Sequence, residues 1–210
     1  TLQWAKRYNG PSSKEDIANS IALDASGNVY ITGGSTTTNK GFDMLTIKYN
    51  TSGTQQWATR YDGPGLGDDF ANELRVDQNG NVYITGSSKG STSKLDYATI
   101  KYNTAGQQQW LMRFDGASHD TDVATGIDLD VYNNVYVTGY SKSTPIGTTP
   151  GYFDYFTIKY ANTNGSLMWQ NKYDGGGIDK AWDISVVSRG CASNALQGGD
   201  IPCWDIDIYV

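Results

Sequence analysis

Apolar and polar residues alternate along most of this chain, in short runs that end at Gly, Asn, Asp or Ser. Ile21 and Leu23 share one face of such a run, and Ala22 lies on the other face. A period of two predicts β-strands, because successive side chains of a strand point to opposite faces of the sheet. No long apolar stripe has the period of 3.6 that indicates a helix. The pattern therefore predicts an all-β fold of short strands.

These predicted strands recur in a repeating order. GNVYITG occurs at 27–33 and 80–86, and NNVYVTG occurs at 133–139. Tryptophans that begin each repeat stand at Trp4, Trp57, Trp110 and Trp169, with spacings of 53, 53 and 59 residues. Between them come a Gly-rich loop, a first strand, the NVYITG strand and a strand that ends in IKY. Four strands in a unit of this length indicate a blade of a β-propeller.

Three motifs carry a resemblance to a known family: W-x-x-R-Y-x-G, D-x-x-G-N-V-Y-[IV]-T-G and D-[YF]-x-T-I-K-Y. Together they resemble the bacterial β-propeller repeats of the seven-bladed type, which occur in secreted and cell-surface proteins. The resemblance covers nearly the whole chain and implies an extracellular or cell-surface location. The chain departs from that type in blade number, because it has material for four blades.

The order of the strands predicts one domain over residues 1–210, a four-bladed propeller with four antiparallel strands per blade. The predicted divisions are 1–8 (outer strand of blade 4), 9–62 (blade 1), 63–115 (blade 2), 116–174 (blade 3) and 175–210 (blade 4). CWDIDIYV aligns with FDMLTIKY through Asp205 and Asp43, so the fourth unit has three strands. Residues 1–8 supply the missing outer strand.

That closing strand carries Leu2, Trp4, Lys6 and Tyr8. It completes blade 4 either of its own chain, which closes a ring, or of a neighbouring molecule by strand addition. Strand addition repeated from head to tail builds a filament. A third interpretation, that the chain is a piece of a larger propeller, stays open on the sequence alone.

Charge excludes some partners. The net charge is -6 and the pI is about 4.6, which disfavours nucleic acid because a phosphate backbone requires a basic face. No apolar run approaches the ~18 residues that a membrane helix requires, so membrane insertion is not expected. The expected partner is a second copy of the chain, and a glycan or peptide is the alternative.

The two cysteines, Cys191 and Cys203, lie in the fourth unit, where the NVYITG strand is degraded to ASNALQGG. A disulfide that closes a long hairpin is the favoured interpretation, and it implies an oxidising compartment. Two free core cysteines are the alternative. His119 is the single histidine of the sequence, so a zinc site is not expected.

Acidic residues are the repeated polar chemistry. Asp16, Asp69, Asp122 and Asp179 each stand two residues before an Ala, at the start of a predicted first strand near the propeller axis. One interpretation is structural: each carboxylate caps the loop that crosses between blades. The other is an axial Ca²⁺ or similar hard cation, for which carboxylate oxygens are suitable ligands.

No constellation of residues predicts catalysis. The sequence has no GxSxG, HExxH or phosphate-binding loop, and His119 lies in a surface loop. Trp182 and Trp204 depart from the repeat in blade 4, where they either fill the space left by the degraded second strand or mark a contact surface. The sequence predicts a non-catalytic extracellular scaffold, self-assembling as a filament or surface-layer subunit. The alternative is a glycan- or peptide-binding propeller module.

Overall fold

The computed structural model describes residues 1–37, 41–144, 151–190 and 204–210, with the side chains of 188–190 and 204–206 left aside. The described residues form fourteen strands and no helix. The strands are β1 (Asp16–Leu23), β2 (Val29–Thr36), β3 (Phe42–Tyr49), β4 (Gln55–Tyr61), β5 (Asp69–Val76), β6 (Val82–Lys89), β7 (Leu95–Tyr102), β8 (Gln108–Phe114), β9 (Asp122–Leu129), β10 (Val135–Lys142), β11 (Phe153–Tyr160), β12 (Leu167–Tyr173), β13 (Ser185–Gly190) and β14 (Trp204–Tyr209).

The first twelve strands form three antiparallel meanders of four strands each. Blade 1 is β1–β4, blade 2 is β5–β8 and blade 3 is β9–β12, each in chain order across the sheet. Blade 4 consists of β13 and β14 among the described residues. The all-β, propeller-like fold is therefore as predicted. No described helix has the length and hydropathy that a membrane crossing requires.

The motif D-x-x-G-N-V-Y forms the turn between the first two strands of each blade. In blade 1, Asp24 accepts hydrogen bonds from the Asn28 side-chain nitrogen at 2.7 Å and from the Tyr30 hydroxyl at 2.9 Å. Asp77 and Asp130 hold the equivalent turns in the same way. One carboxylate thus closes the hairpin and orients the buried tyrosine, which explains why these residues recur at fixed spacing.

The core lies between blades rather than inside one sheet. Tyr30 and Met44 of blade 1 pack against Leu74 and Ile100 of blade 2, and all four side chains are buried. Blades 2 and 3 repeat this packing with different side chains. Both faces of a central blade are therefore apolar, as expected for sheets stacked face to face.

The two ends of the chain differ from the sequence prediction. The structure assigns no strand to residues 1–15, and β14 forms no ladder with them. β14 pairs directly with β13, whereas the third strands of blades 1–3 pair with second strands. Closure of the chain's own ring by residues 1–8 is thus not seen in the described residues. Pairing with a neighbouring molecule stays a prediction.

The glycine of NVYITG lies at a β-bulge of the first strand. In blade 2 the register shifts between Ala71 and Glu73, and Gly86 lies opposite Ala71. A Cβ atom on Gly86 would lie 1.9 Å from the backbone oxygen of Phe70. Because a backbone atom cannot move aside as a flexible side chain does, only glycine fits at this position.

We expect Gly86→Ala to lower the free energy of unfolding by about 3 kcal/mol, since the clash forces the two strands apart. Gly177→Ala is the matched control, because a Cβ there meets no atom within 4 Å. That control should change the free energy of unfolding by less than about 1 kcal/mol. Urea denaturation of both variants measures the difference, and equal stabilities would contradict this account of the motif.

Cys191 and Cys203 lie outside the described residues, and their disulfide stays a prediction. The described ladder next to them ends at the pair Gly190 and Trp204. We expect the native, non-reduced protein to show no reaction with a thiol reagent after denaturation, and two reactive thiols after reduction. Two reactive thiols without reduction would refute the disulfide and favour free cysteines.

Candidate functional site

Three carboxylates meet at the junction that follows each complete blade. Each cluster combines an aspartate of a third strand, an aspartate just after the fourth strand and an aspartate near the start of the next blade. Within each cluster the ligand atoms lie within 4.8 Å of one another. The clusters are Asp43, Asp62 and Asp69; Asp96, Asp115 and Asp122; and Asp154, Asp174 and Asp179.

A cation of the fourth strand balances part of this charge. Arg113 lies 2.6 Å from Asp96, and the equivalent pair of Lys172 and Asp154 is separated by 2.7 Å. Arg113 also donates to the hydroxyl of Tyr61 on the preceding blade, at 2.9 Å. The arginine of W-x-x-R-Y therefore joins a carboxylate of its own blade to the outer strand of the neighbouring one.

The structure does not bring Asp16, Asp69, Asp122 and Asp179 together among the described residues, since each lies at a separate junction. Instead, each accepts a hydrogen bond from the backbone N–H of a crossover-loop glycine. The distances are 2.8 Å from Gly10, 2.8 Å from Gly63, 2.6 Å from Gly116 and 2.7 Å from Gly175. This geometry agrees with the structural interpretation. Cation binding stays a prediction.

Burial raises the pKa of Asp122 to about 6, and the negative charges of Asp115 and Asp96 add to this rise. Burial likewise raises the pKa of Asp69. A buried carboxylate beside other carboxylates prefers its protonated form, because the charged form loses hydration and is repelled by its neighbours. The stability of these junctions therefore depends on pH as well as on apolar packing.

We expect the free energy of unfolding to fall as the pH rises from about 4 to about 6, because folded Asp122 holds its proton where the unfolded carboxyl has lost it. Asp122→Asn should flatten this fall, and Glu15→Gln, at an exposed position outside the three carboxylate clusters, is the control. Denaturant unfolding at pH 4, 5, 6 and 7 in a chelating buffer measures the slope. An unchanged slope in Asp122→Asn would contradict the assignment.

One face of blade 1 lacks the cover that blades 2 and 3 have. Ile21 is 66% exposed, whereas its counterparts Leu74 and Ile127 are 1% and 0% exposed. Ile31, Leu45 and other apolar residues line a groove of about 210 Å³ beside it. We call this surface of blade 1 the open face. On blades 2 and 3 the equivalent face packs against the preceding blade.

The hydrogen bonds that backbone carbonyls accept show the same difference between blade 1 and the later blades. Asn19 donates to the Ala71 oxygen at 2.9 Å, Asn72 donates to the Ala124 oxygen, and Thr125 donates to the Ala181 oxygen. The first two bonds join the first strands of successive blades, and the third joins β9 to the segment just before β13. Ala18 is the corresponding acceptor on blade 1, and no side-chain donor reaches it from the part of the chain that the structure describes.

The N-terminal segment covers only the outer part of the open face. Trp4 donates its ring N–H to the Thr51 carbonyl at 3.0 Å, as Trp57 does to the Thr104 carbonyl. The Tyr8 hydroxyl accepts from Arg60 at 3.2 Å, as the Tyr61 hydroxyl does from Arg113. Residues 4–8 therefore occupy the place of the outer strand of a blade that precedes blade 1.

The other predicted site residues are scattered. Leu2 is 83% exposed, and Lys6 lines the groove. Trp182 is 69% exposed and packs edge-on against Tyr140. Trp204 belongs to β14, and its side chain lies outside the described set.

His119 lies in a loop with its Nδ1 2.6 Å from Asp115, and this hydrogen bond raises the pKa of the imidazole. The side chain is exposed. We therefore assign it a loop-stabilising contact rather than a place in a reactive constellation.

Sequence reasoning missed the open face. The missed residues are Ala18, Ile21, Ile31, Leu45 and Ile47. In the sequence they have the same pattern as the core positions of the other repeats. The signal that could have found them was the phase of the repeats. Within residues 1–210, the Trp strand at Trp4 comes before blade 1 without the first, second and third strands that accompany the later Trp strands.

Comparison with known proteins supports the repeat assignment. A family model described as a β-propeller repeat matches residues 3–40 and 56–91. The two matched stretches contain corresponding parts of successive units, from the Trp strand to the end of the NVYITG strand. The resemblance to a β-propeller repeat family is thereby confirmed for these two stretches.

One curated relative is an uncharacterized WD repeat-containing protein of Acanthamoeba polyphaga mimivirus. It is 26% identical over 191 aligned residues, which cover 69% of this chain and 14% of the relative. The chain thus spans about a seventh of the length of that protein.

Proposed function

We propose that this chain is a non-catalytic extracellular scaffold that assembles with copies of itself through blade-to-blade packing. The open apolar face of blade 1 carries this proposal. The repeats bury the same face at the two junctions between blades 1, 2 and 3. A surface that is buried at every equivalent junction is made to receive another blade of the same kind.

Free energy favours covering this face. Burial of one side chain the size of Ile21 contributes about 1.5–3 kcal/mol, and a new junction would bury several such groups. Contiguous exposed apolar surface on a soluble protein is typical of interaction sites. A second copy is the occupant with a matching surface, because the blade junction within the chain already shows how two such faces fit.

The non-catalytic part of the proposal is supported by the roles that polar groups already have. The junction aspartates accept bonds from loop N–H groups, and the turn aspartates close hairpins. The extracellular part is supported by the resemblance of the repeat motifs to those of secreted and cell-surface proteins, and a Cys191–Cys203 disulfide would require an oxidising compartment.

A binding module is the second candidate, and one surface favours it. Trp182 is exposed beside Tyr140, and the ammonium of Lys180 lies 4.2 Å from the centre of the Tyr140 ring. An exposed indole next to a cation can stack on a sugar ring or an aromatic peptide side chain. Saturable glycan or peptide binding by a protein that stays monomeric would favour this candidate over the scaffold.

We expect the purified protein to form polymers at micromolar concentration and Ile21→Asp to abolish them, because the charge would be buried at the new junction. The single chain of Ile21→Asp should keep its fold, since Ile21 is exposed there. Leu74→Asp is the matched control at the equivalent buried position and should unfold the chain. Light scattering, electron microscopy and circular dichroism measure these outcomes. A wild type that stays near 23 kDa would overturn the proposal.

A further inference from the structure

A side-chain amide fills the junction between blades 2 and 3 beside the Asp-closed turns. The Asn162 Oδ1 accepts hydrogen bonds from the Lys101 ammonium at 2.5 Å and from the Tyr83 hydroxyl at 2.7 Å. The Asn162 Nδ2 donates to the backbone oxygen of Tyr132 at 3.4 Å. One primary amide of the chain thus meets two donors from blade 2 and one acceptor from blade 3.

The junction between blades 1 and 2 has a different residue in this place. Trp110 donates its ring N–H to the Asn162 carbonyl at 2.9 Å, and Trp57 donates in the same way to the Thr104 carbonyl at 3.0 Å. Thr104 is therefore the structural counterpart of Asn162. Because its side chain has a hydroxyl and a methyl group, this junction lacks the amide that fills the next one.

The two donors are nevertheless present, as Lys48 and Tyr30. The Lys48 ammonium lies 4.9 Å from the centre of the Tyr30 ring, and Lys101 lies 5.2 Å from the centre of the Tyr83 ring. The Lys48 side chain is 13% exposed, and its ion-pair partner Asp24 is 4.0 Å away. No acceptor in the described part of the chain lies within hydrogen-bonding distance of this ammonium. A ligand oxygen would therefore stabilise it, because a mostly buried cation without an acceptor is costly.

A pocket of about 220 Å³ lies beside Lys48. Asn79 of its wall is the counterpart of Tyr132, since each donates its backbone N–H to the aspartate that closes its turn. This volume is below the roughly 300–1,000 Å³ of pockets for drug-sized ligands, so one small polar group fits. Polar residues from the two blades form most of the wall: Asp24, Ser26, Asn28, Gln78, Asn79 and Thr104.

An acetamido group has the chemistry that matches this pocket. Its oxygen would accept hydrogen bonds from Lys48 and Tyr30, as the Asn162 Oδ1 does from their counterparts. Its N–H would donate to the backbone oxygen of Asn79. Ala25 is the apolar residue of the wall, and the hydroxyl and amide groups around it suit the hydroxyls of a sugar better than an apolar peptide side chain.

We propose that the pocket between blades 1 and 2 binds the acetamido group of an N-acetylated sugar, with Lys48 and Tyr30 as donors and the Asn79 carbonyl as acceptor. The junction between blades 2 and 3 does not bind it, because Asn162 occupies the equivalent place. This site goes beyond the self-assembly proposed above, since both of its walls belong to one chain. It shares no residue with the Trp182 surface.

Titration with N-acetylglucosamine tests the site, and glucose, which lacks the acetamido group, is the control ligand. Saturation-transfer NMR observes the free sugar and therefore also works on assembled protein. We expect saturable binding of N-acetylglucosamine and no binding of glucose. Thr104→Asn should weaken binding at least about tenfold, because it supplies the amide that fills the next junction, whereas the matched control Thr104→Ser should bind like the wild type.

Lys48→Met should weaken binding to a similar extent, and Lys14→Met, at an exposed lysine, should leave it unchanged. Circular dichroism verifies that each variant is folded. Equal binding of glucose, or unchanged binding in both Thr104→Asn and Lys48→Met, would overturn the site. An asparagine-containing peptide that binds where the sugar does not would overturn the sugar assignment. Absence of any binding would refute the site and leave self-assembly unaffected.

Discussion

A blade of this protein carries apolar side chains on both faces of its sheet, so it needs a neighbour on each side. Tyr30 and Met44 cover Leu74 from one side, and the same kind of cover is repeated between blades 2 and 3. This packing supplies the free energy that orders the sheets, because one four-stranded sheet buries little surface by itself. On blade 1, Ile21 lies on a face of the same kind that no described blade covers.

Polar groups at the junctions make this stacking specific. Buried carboxylates are costly unless they are paired, and here each one binds loop N–H groups or a fourth-strand cation. Asp122 binds the N–H of Gly116, while Arg113 joins Asp96 to Tyr61 of the preceding blade. These bonds fix the orientation of one blade against the next. The motif W-x-x-R-Y-x-G therefore encodes a contact between blades, not a feature of one strand.

The aspartates of the first strands show the limit of inference from repeats. Equivalent positions in a repeat suggest residues that meet on a common axis, and the cation interpretation required this of Asp16, Asp69, Asp122 and Asp179, whereas the loop-capping interpretation did not. In the structure Asp69 instead meets Asp43 and Asp62, and Asp122 meets Asp96 and Asp115. Repeat spacing establishes that positions are equivalent, but the distance between them depends on how far each strand lies from the axis. Local sequence has no information about that distance.

The sequence by itself determined the strands, the Asp-closed turns, the glycine at each bulge and the order of strands in a blade. These features depend on neighbours a few residues away, through side-chain alternation, turn geometry and steric fit. Only the tertiary structure decided which carboxylates meet, that Trp4 and Tyr8 bind blade 1, and that Ile21 stays uncovered. Those outcomes depend on contacts between segments about fifty residues apart. The free energy of each contact depends on how all the blades pack together.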